Sequence, residues 1–303
     1  MSARQFNNVP VIWTPSEHDG KNVKKFKKII EDKYRIKLVL QILIPFKDWL
    51  SEGIYCVVSE NLCELWTELW DLLGIISSRR FDKSIFDEGF IEVVEPNNYA
   101  ENLLKYRDDR LALIIEGEDT EVQTYTFSEM YEEVRLYAAA FRKFGLKKGD
   151  VVICHMSNRK EAIFATLAVI SIGAIWAAAL PMLGTQAVLE RFQQLRPKIL
   201  LSEDGYRLEG KDIEVLPKLA AIVEGLPTLE KVLIVTSKSK SNSKDISSIR
   251  NGCFLDDFLK TGVENDGSIP PMKFEQVSFS HPITVTYTSG STGLPKGVVH
   301  GCG

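Results

Sequence analysis

From Ala162 to Leu183 the sequence carries no charged residue. A run of that length is sufficient to span a bilayer. Gly173 interrupts it, however, and Pro181 closes it with a turn. A buried helix over about Lys160–Ile172, followed by a short buried strand over Ala174–Leu180, accounts for the same residues. The surrounding pattern favours this second reading, so no membrane span is expected. Leu111–Glu116 and Val122–Tyr125 read as strands around the polar turn Gly117–Glu121. Thr126-Phe-Ser-Glu129 has capping-box spacing and opens a helix with Met130, Val134, Tyr137, Phe141 and Phe144 on its apolar face. That helix ends at Gly145. Val151–Cys154, Lys198–Ser202 and Lys231–Thr236 read as further strands, with a helix from Thr185 that stops before Pro197. Strands separated by helices of this length define an α/β fold with a mainly parallel sheet flanked by helices.

The first hundred residues have another texture, helical and irregular. Lys24–Tyr34 reads as a charged helix. Ser59–Leu73 reads as a stronger one, with Leu62, Leu65, Trp66, Leu69 and Leu73 on one face and Gly74 as the stop. Trp66 and Trp70, four residues apart, lie on the same side, and the sequence suggests two core anchors rather than a ligand cage. Thr236–Asn251 is rich in Ser and Lys and is read as a mobile surface loop.

The 303 residues are 45% hydrophobic and 26% charged, with a net charge of −4. Nothing in that balance points to nucleic acid as a partner. The five cysteines (Cys56, Cys63, Cys154, Cys253 and Cys302) form no C-x-x-C pair. They read as reduced thiols, and together with the absence of a secretory pattern after Met1 they suggest a cytosolic protein.

The segment that carries chemistry is Ile283-Thr-Val-Thr-Tyr-Thr-Ser-Gly-Ser-Thr-Gly-Leu-Pro-Lys-Gly-Val-Val-His300. A β-branched run, Ile283–Tyr287, delivers the chain from a sheet into Thr288, Ser289, Gly290, Ser291, Thr292 and Gly293, with Lys296 beyond. Glycines let successive N–H groups converge on an anion, hydroxyls add donors, and the lysine supplies compensating charge. The spacing is not that of a Walker A loop, because Pro295 stands where a glycine is needed. A Gly/Ser linker is the competing reading. Linkers rarely follow a β-branched run or end in Leu-Pro-Lys-Gly.

Thr288–Gly297 closely resembles the signature loop of the adenylate-forming superfamily, which includes acyl-CoA synthetases, luciferases and peptide-synthetase adenylation domains. Asn98-Tyr-Ala-Glu-Asn-Leu-Leu104 resembles the segment that opens the main domain of acetyl- and acetoacetyl-CoA synthetases, and Leu65–Gly74 resembles their N-terminal cap helix. Phe254–Leu259 and Phe279-Ser-His-Pro282 are most similar to the acetoacetyl-CoA synthetase family. The resemblance implies a helical cap over residues 1–95 and an AMP-binding, adenylate-forming domain over 96–303. It also implies ATP, Mg²⁺ and CoA as cofactors, and acetoacetate or another short acid as substrate. Thr288–Gly293 and Lys296 would hold the ATP phosphates. Arg207 and Lys211, within Glu203–Lys211, fall where related acetyl-CoA synthetases place basic residues against the CoA phosphates. A solvated turn remains the alternative there.

Two departures stand out: Leu180-Pro-Met-Leu-Gly184 replaces a Ser-Pro-Asp-Phe-Gly type run, and Asn97 replaces a common arginine or leucine. The family's adenine-stacking segment, metal-binding glutamate, ribose-binding aspartate and lid lysine fall after the position of Gly303. The expectation is therefore an acid–thiol ligase of acetoacetate–CoA ligase type, with this chain as an incomplete version that does not turn over alone. The alternative is a catalytically incompetent fragment or pseudoenzyme acting as a nucleotide- or partner-binding module. His300, just past the loop, could lie near substrate, but a lone loop histidine is more often structural.

Overall fold

The computed structural model describes residues 62–78, 80, 97–118, 122–237, 244–288 and 293–302, together with Lys25, Lys28, Ile29 and Asp32. The chain divides into two compact units. One comprises 1–75 with 81–93, the other 76–80 with 94–303.

In the first unit, the described residues of the expected Lys24–Tyr34 helix are helical. Helix α1 spans Leu62–Leu73, and the start of the expected Ser59–Leu73 helix lies outside the described residues. Gly74 ends α1 at φ 58°, a left-handed conformation that only glycine adopts without cost. Trp66 is 44% exposed and so does not anchor a core. Trp70 is half-buried, and the buried residue of this turn is Glu68. A large indole with a polar N–H is stable half in water, so helical spacing alone does not assign it to a core.

The second unit opens with the short helix α2 (Tyr99–Leu103), capped by Asn98. The strands β1 (Leu111–Ile115) and β2 (Gln123–Thr126) pair antiparallel and lead into α3 (Phe127–Phe144). The capping box is formed as its spacing predicts. Glu129 N–H donates to Thr126 Oγ1 at 3.1 Å, and Thr126 N–H donates to the Glu129 carboxylate at 2.8 Å. Gly145, at φ 94°, closes the helix.

Alternation continues through β3 (Val151–His155), α4 (Lys160–Ser171), β4 (Ile175–Ala179), α5 (Thr185–Phe192) and β5 (Ile199–Glu203). A hairpin of β6 (Gly205–Leu208) and β7 (Lys211–Glu214) precedes α6 (Leu216–Glu224). Then come β8 (Lys231–Val235), β9 (Gly252–Phe254), α7 (Leu255–Lys260), β10 (Pro282–Thr288) and β11 (Lys296–Gly301).

Among the described residues, seven strands form one sheet in the order β11-β10-β4-β3-β5-β8-β9. All neighbouring pairs are parallel except β10–β11. Val152, Cys154 and Leu201 face one side, where α3 and α4 bring Val134, Phe141, Phe164 and Ala168. Ile153, Leu200 and Ile234 face the other, against Val188 and Phe192 of α5 and Leu219 and Ile222 of α6. Each such fully buried Val, Leu, Ile or Phe side chain contributes about 1.5–3 kcal/mol. Burial on both faces explains why the central strands read as continuous apolar runs.

The uncharged run is resolved as the core reading predicts, into α4 and β4. Gly173, at φ 75°, makes the turn between them. Among the described residues no helix is long and apolar enough to cross a membrane.

The expected mobile loop over Thr236–Asn251 needs correction. Residues 238–243 lie outside the described set, but the remainder is anchored. Ile249 is buried, and Arg250 donates to Val223 O at 2.8 Å and to Leu226 O at 3.1 Å. Two isoleucines three apart, Ile246 and Ile249, pack onto the α6 side of the core. That is enough to fix a segment whose composition is otherwise polar.

Candidate functional site

β10 enters the sheet beside β4, with Thr284 opposite Trp176 and Val285 opposite Ala177. Ile283 and Val285 are buried, whereas Thr286 and Thr288 are exposed. The signature segment therefore begins directly after a strand, as its β-branched run predicts. Ser289, Gly290, Ser291 and Thr292 lie outside the described residues. The chain returns at Gly293 (φ 117°), where an added Cβ would meet nothing within 4 Å.

Sequence reasoning did not foresee the return itself. Lys296–Gly301 is a strand antiparallel to β10, with Thr288 paired to Lys296, Thr286 to Val298 and Thr284 to His300. Directly opposed residues share a face. Thr288 and Lys296 are therefore held side by side at the mouth of the hairpin, both exposed. His300 also stands on this face, its Nε2 3.0 Å from Thr286 Oγ1.

The hairpin is fastened to α5 on its inner side. Tyr287 donates its hydroxyl to Arg191 O at 2.7 Å, and Gln194 Nε2 donates to Pro295 O at 3.1 Å.

Arg207 and Lys211 belong to the β6–β7 ribbon, a formed hairpin. Its tip, Glu209 (φ 51°) and Gly210 (φ 74°), has the paired positive φ of a tight hairpin turn. Arg207 pairs with Asp212, Nη1 to Oδ1 at 3.0 Å. Lys211 pairs with Leu208 in the next rung, and so stands on the opposite face of the ribbon from Arg207. The structure thus does not bring the two side chains together. The tip N–H groups of Glu209 and Gly210 each donate to the Glu118 carboxylate at 2.9 Å, which holds its pKa below the usual range.

A further polar cluster carries no sequence motif. β3 is flanked by β4 on one side and β5 on the other, so the direction of winding reverses there. Crevices at the carboxyl ends of such strands are where open α/β sheets bind ligands. β3 ends in His155, and β5 ends in Ser202 and Glu203, all fully buried. Glu203 accepts from Ser157 N at 2.7 Å and Ser157 Oγ at 2.9 Å, with Arg159 Nη1 at 3.6 Å. Burial pushes the Glu203 carboxyl up against those stabilising contacts. His155 has both ring nitrogens without a hydrogen-bond partner among the described residues. Burial, with the Lys218 amine adding to it, pushes the imidazole down to about 4. Lys218 donates to Pro181 O and Leu183 O, tying α6 to the turn after β4. Polar residues at the ends of two otherwise apolar runs were the available signal. Their dispersal over several segments hid the cluster.

A doubly wound sheet with a Thr/Ser/Gly/Lys hairpin at its carboxyl edge agrees with the comparison to known families. Residues 100–302 match the AMP-binding enzyme family, and the chain belongs to it. It is 42% identical to the acetoacetyl-CoA synthetase of Macaca fascicularis, over 83% of this chain and 38% of that protein. It is 38% identical to that of Gallus gallus, over 97% of this chain and 43% of that protein. The structure of acetoacetyl-CoA synthetase from Streptomyces lividans shares the fold, with a TM-score of 0.75 at 24% identity. That match covers 95% of this chain and 42% of that one. The chain thus spans about two fifths of its relatives' length, and the matched part is their N-terminal part.

Proposed function

We propose that the chain is the N-terminal share of an ATP-dependent acid–thiol ligase of acetoacetate–CoA ligase type. In that reaction a carboxylate oxygen of acetoacetate, or another short acid, attacks the α-phosphorus of ATP. The bond to the β-phosphate breaks and pyrophosphate leaves. The CoA thiol then attacks the acyl carbon of the adenylate, and AMP departs. Phosphoryl chemistry of this kind depends on positioning and charge neutralisation. The share of this chain is to hold the β- and γ-phosphates, with Thr288, Ser289, Gly290, Ser291, Thr292, Gly293 and Lys296 as the cradle.

The observation that carries the reading is the rung between Thr288 and Lys296. It sets a hydroxyl and an ammonium on one exposed face at the mouth of a loop that follows a parallel strand. The similarity to acetoacetyl-CoA synthetases supports the choice of acid. Among the described residues no three His, Cys, Asp or Glu side chains converge to hold a metal, so no Mg²⁺ ligand is assigned. Arg207 and Lys211 are retained as CoA-phosphate contacts of lower rank, since Arg207 already has Asp212 as partner. A boundary between a cap over 1–95 and an adenylate-forming domain over 96–303 is supported by the division of the chain near residue 94. A cytosolic location accords with the free thiols of Cys154, Cys253 and Cys302.

The test is calorimetric titration of the chain with ATP and with pyrophosphate. Binding of both that is lost in Lys296→Ala supports the reading. Equal affinity in wild type and variant removes it.

A further inference from the structure

The end of an α-helix leaves its last carbonyls without intrahelical donors. The end of α5 runs on into a 3-10 turn, Gln193–Leu195, and two carbonyls of its last turn also accept from side chains. Arg191 O accepts from the Tyr287 hydroxyl at 2.7 Å, and Glu190 O accepts from Gln194 Nε2 at 2.6 Å. Burial pushes the Tyr287 phenol up to about 12, so it remains a donor. The Arg191 guanidinium lies 5.9 Å from the Tyr287 ring centroid.

A primary amide has two N–H donors, and the second on Gln194 reaches Pro295 O at 3.1 Å. Pro295 has no N–H and stands immediately before Lys296. Among the described residues, the strand it enters, β11, is the edge of the sheet and has β10 as its one strand neighbour. Leu294, next to Pro295, is 67% exposed. One helix end therefore receives both arms of the hairpin: the ascending arm through Tyr287 and the descending arm through Gln194.

We propose that Gln194 is a positioning residue for Lys296. By tying Pro295 to the end of α5, it sets where the Lys296 ammonium stands against a polyphosphate. The inference rests on the phosphate-binding role given above. Its physical basis is preorganisation. An edge arm held by one neighbouring strand alone must be ordered when the anion arrives, and that ordering weakens binding. A third anchor supplies the order beforehand.

The experiment uses the full chain, inorganic pyrophosphate as probe, circular dichroism as a check on the fold, and three variants. Gln194→Met keeps the shape of the side chain and removes both donors. Gln194→Lys supplies an ammonium able to donate to both carbonyls. Lys296→Ala reports on the phosphate site itself. The expected result for Gln194→Met is a roughly three- to tenfold weaker pyrophosphate affinity, the range of one hydrogen bond. Its circular dichroism spectrum is unchanged, and Gln194→Lys stays near wild type. Hydrogen exchange at the Gly297–Val299 amides is faster in Gln194→Met.

Wild-type pyrophosphate affinity in Gln194→Met overturns the proposal, as does unchanged exchange in β11. A changed circular dichroism spectrum in Gln194→Met beside the loss of affinity also overturns it, since it marks general damage. A wild-type chain that binds no pyrophosphate removes the phosphate reading and this inference with it. Faster β11 exchange in Gln194→Met would then mark the tether as purely structural.

Discussion

Thr288 and Lys296 are Cα partners in the outermost rung of the β10–β11 hairpin. Seven residues lie between them, yet their side chains leave the same face of the ribbon.

This pairing predicts unequal losses on substitution. Lys296→Ala removes a charge-assisted contact and should weaken ATP or pyrophosphate binding by about ten- to a hundredfold. Thr288→Ala removes one neutral donor and should weaken it by about tenfold or less. Calorimetry on both variants checks the order. A larger loss for Thr288→Ala would assign the charge compensation elsewhere.

His155 should make stability depend on acidity. Its folded pKa, about 4, lies below the ordinary 6.5, so between those values the unfolded chain binds more protons. Its contribution is present in full above pH 6.5 and is lost as pH falls through 4. The difference corresponds to about 3 kcal/mol. Phe does not titrate and leaves no ring nitrogen unmet, so His155→Phe should equal or exceed wild type in stability at pH 7. Its advantage should grow as the solution is acidified to pH 4. Parallel urea-unfolding curves over that range would count against a neutral, buried imidazole.

Ser157→Ala should cost about 1–2 kcal/mol, because it takes the hydroxyl donor from a buried carboxylate. The Glu203 pKa is already raised, so the folded state binds a proton more readily than the unfolded chain. Removing a donor raises it further. The cost of the substitution is therefore greatest above the folded pKa and shrinks as pH falls and Glu203 takes a proton. Denaturant midpoints at pH 8 and pH 4 test this, with wild type as reference to cancel the His155 effect.

Gly262 is buried against α3. A Cβ there would lie 2.7 Å from Ala140 N and 3.0 Å from Leu136 O, both helix backbone atoms. Backbone in the middle of a packed helix cannot give way, so Gly262→Ala should destabilise by about 1–3 kcal/mol. At Gly184 a Cβ meets nothing within 4 Å, so Gly184→Ala should cost only the lost N-cap preference for glycine, about 1 kcal/mol or less. Thermal unfolding of the pair separates close packing from a general intolerance of alanine.

The parts of this fold legible in the sequence are those specified locally. The capping box Thr126–Glu129, the break at Gly173 and the apolar runs of β3, β5 and β8 each lie within a few residues of one another. The parts that escaped depend on distant partners. Lys296-Gly-Val-Val-His-Gly301 carries two glycines and a weak strand pattern, and becomes a strand because β10 offers its edge. β9 is three residues long and depends on β8 in the same way. His155 and Ser202 are 47 residues apart and pair only because β3 and β5 are neighbours, the Ser202 hydroxyl donating to His155 O. Trp66 shows the converse: its periodicity was plain, yet spacing does not say whether a face is covered. The Thr288–Lys296 loop is legible from residue chemistry and resemblance, and its described ends are the paired strand termini Thr288 and Lys296.

Strand β4 has β3 on one side and β10 on the other, and β10 begins roughly a hundred residues after β4 ends. At about 5–20 residues per second, a ribosome needs about 5–20 s to supply it. Through that interval the outer edge of β4 is an open row of backbone donors and acceptors, the kind of edge to which foreign strands add. The five strands from β4 to β9 can assemble meanwhile, but the hairpin that would meet a nucleotide cannot. The hairpin is completed by the same event that closes the edge. In the nascent protein, a ligand that captures this hairpin would therefore select chains already past their most aggregation-prone stage.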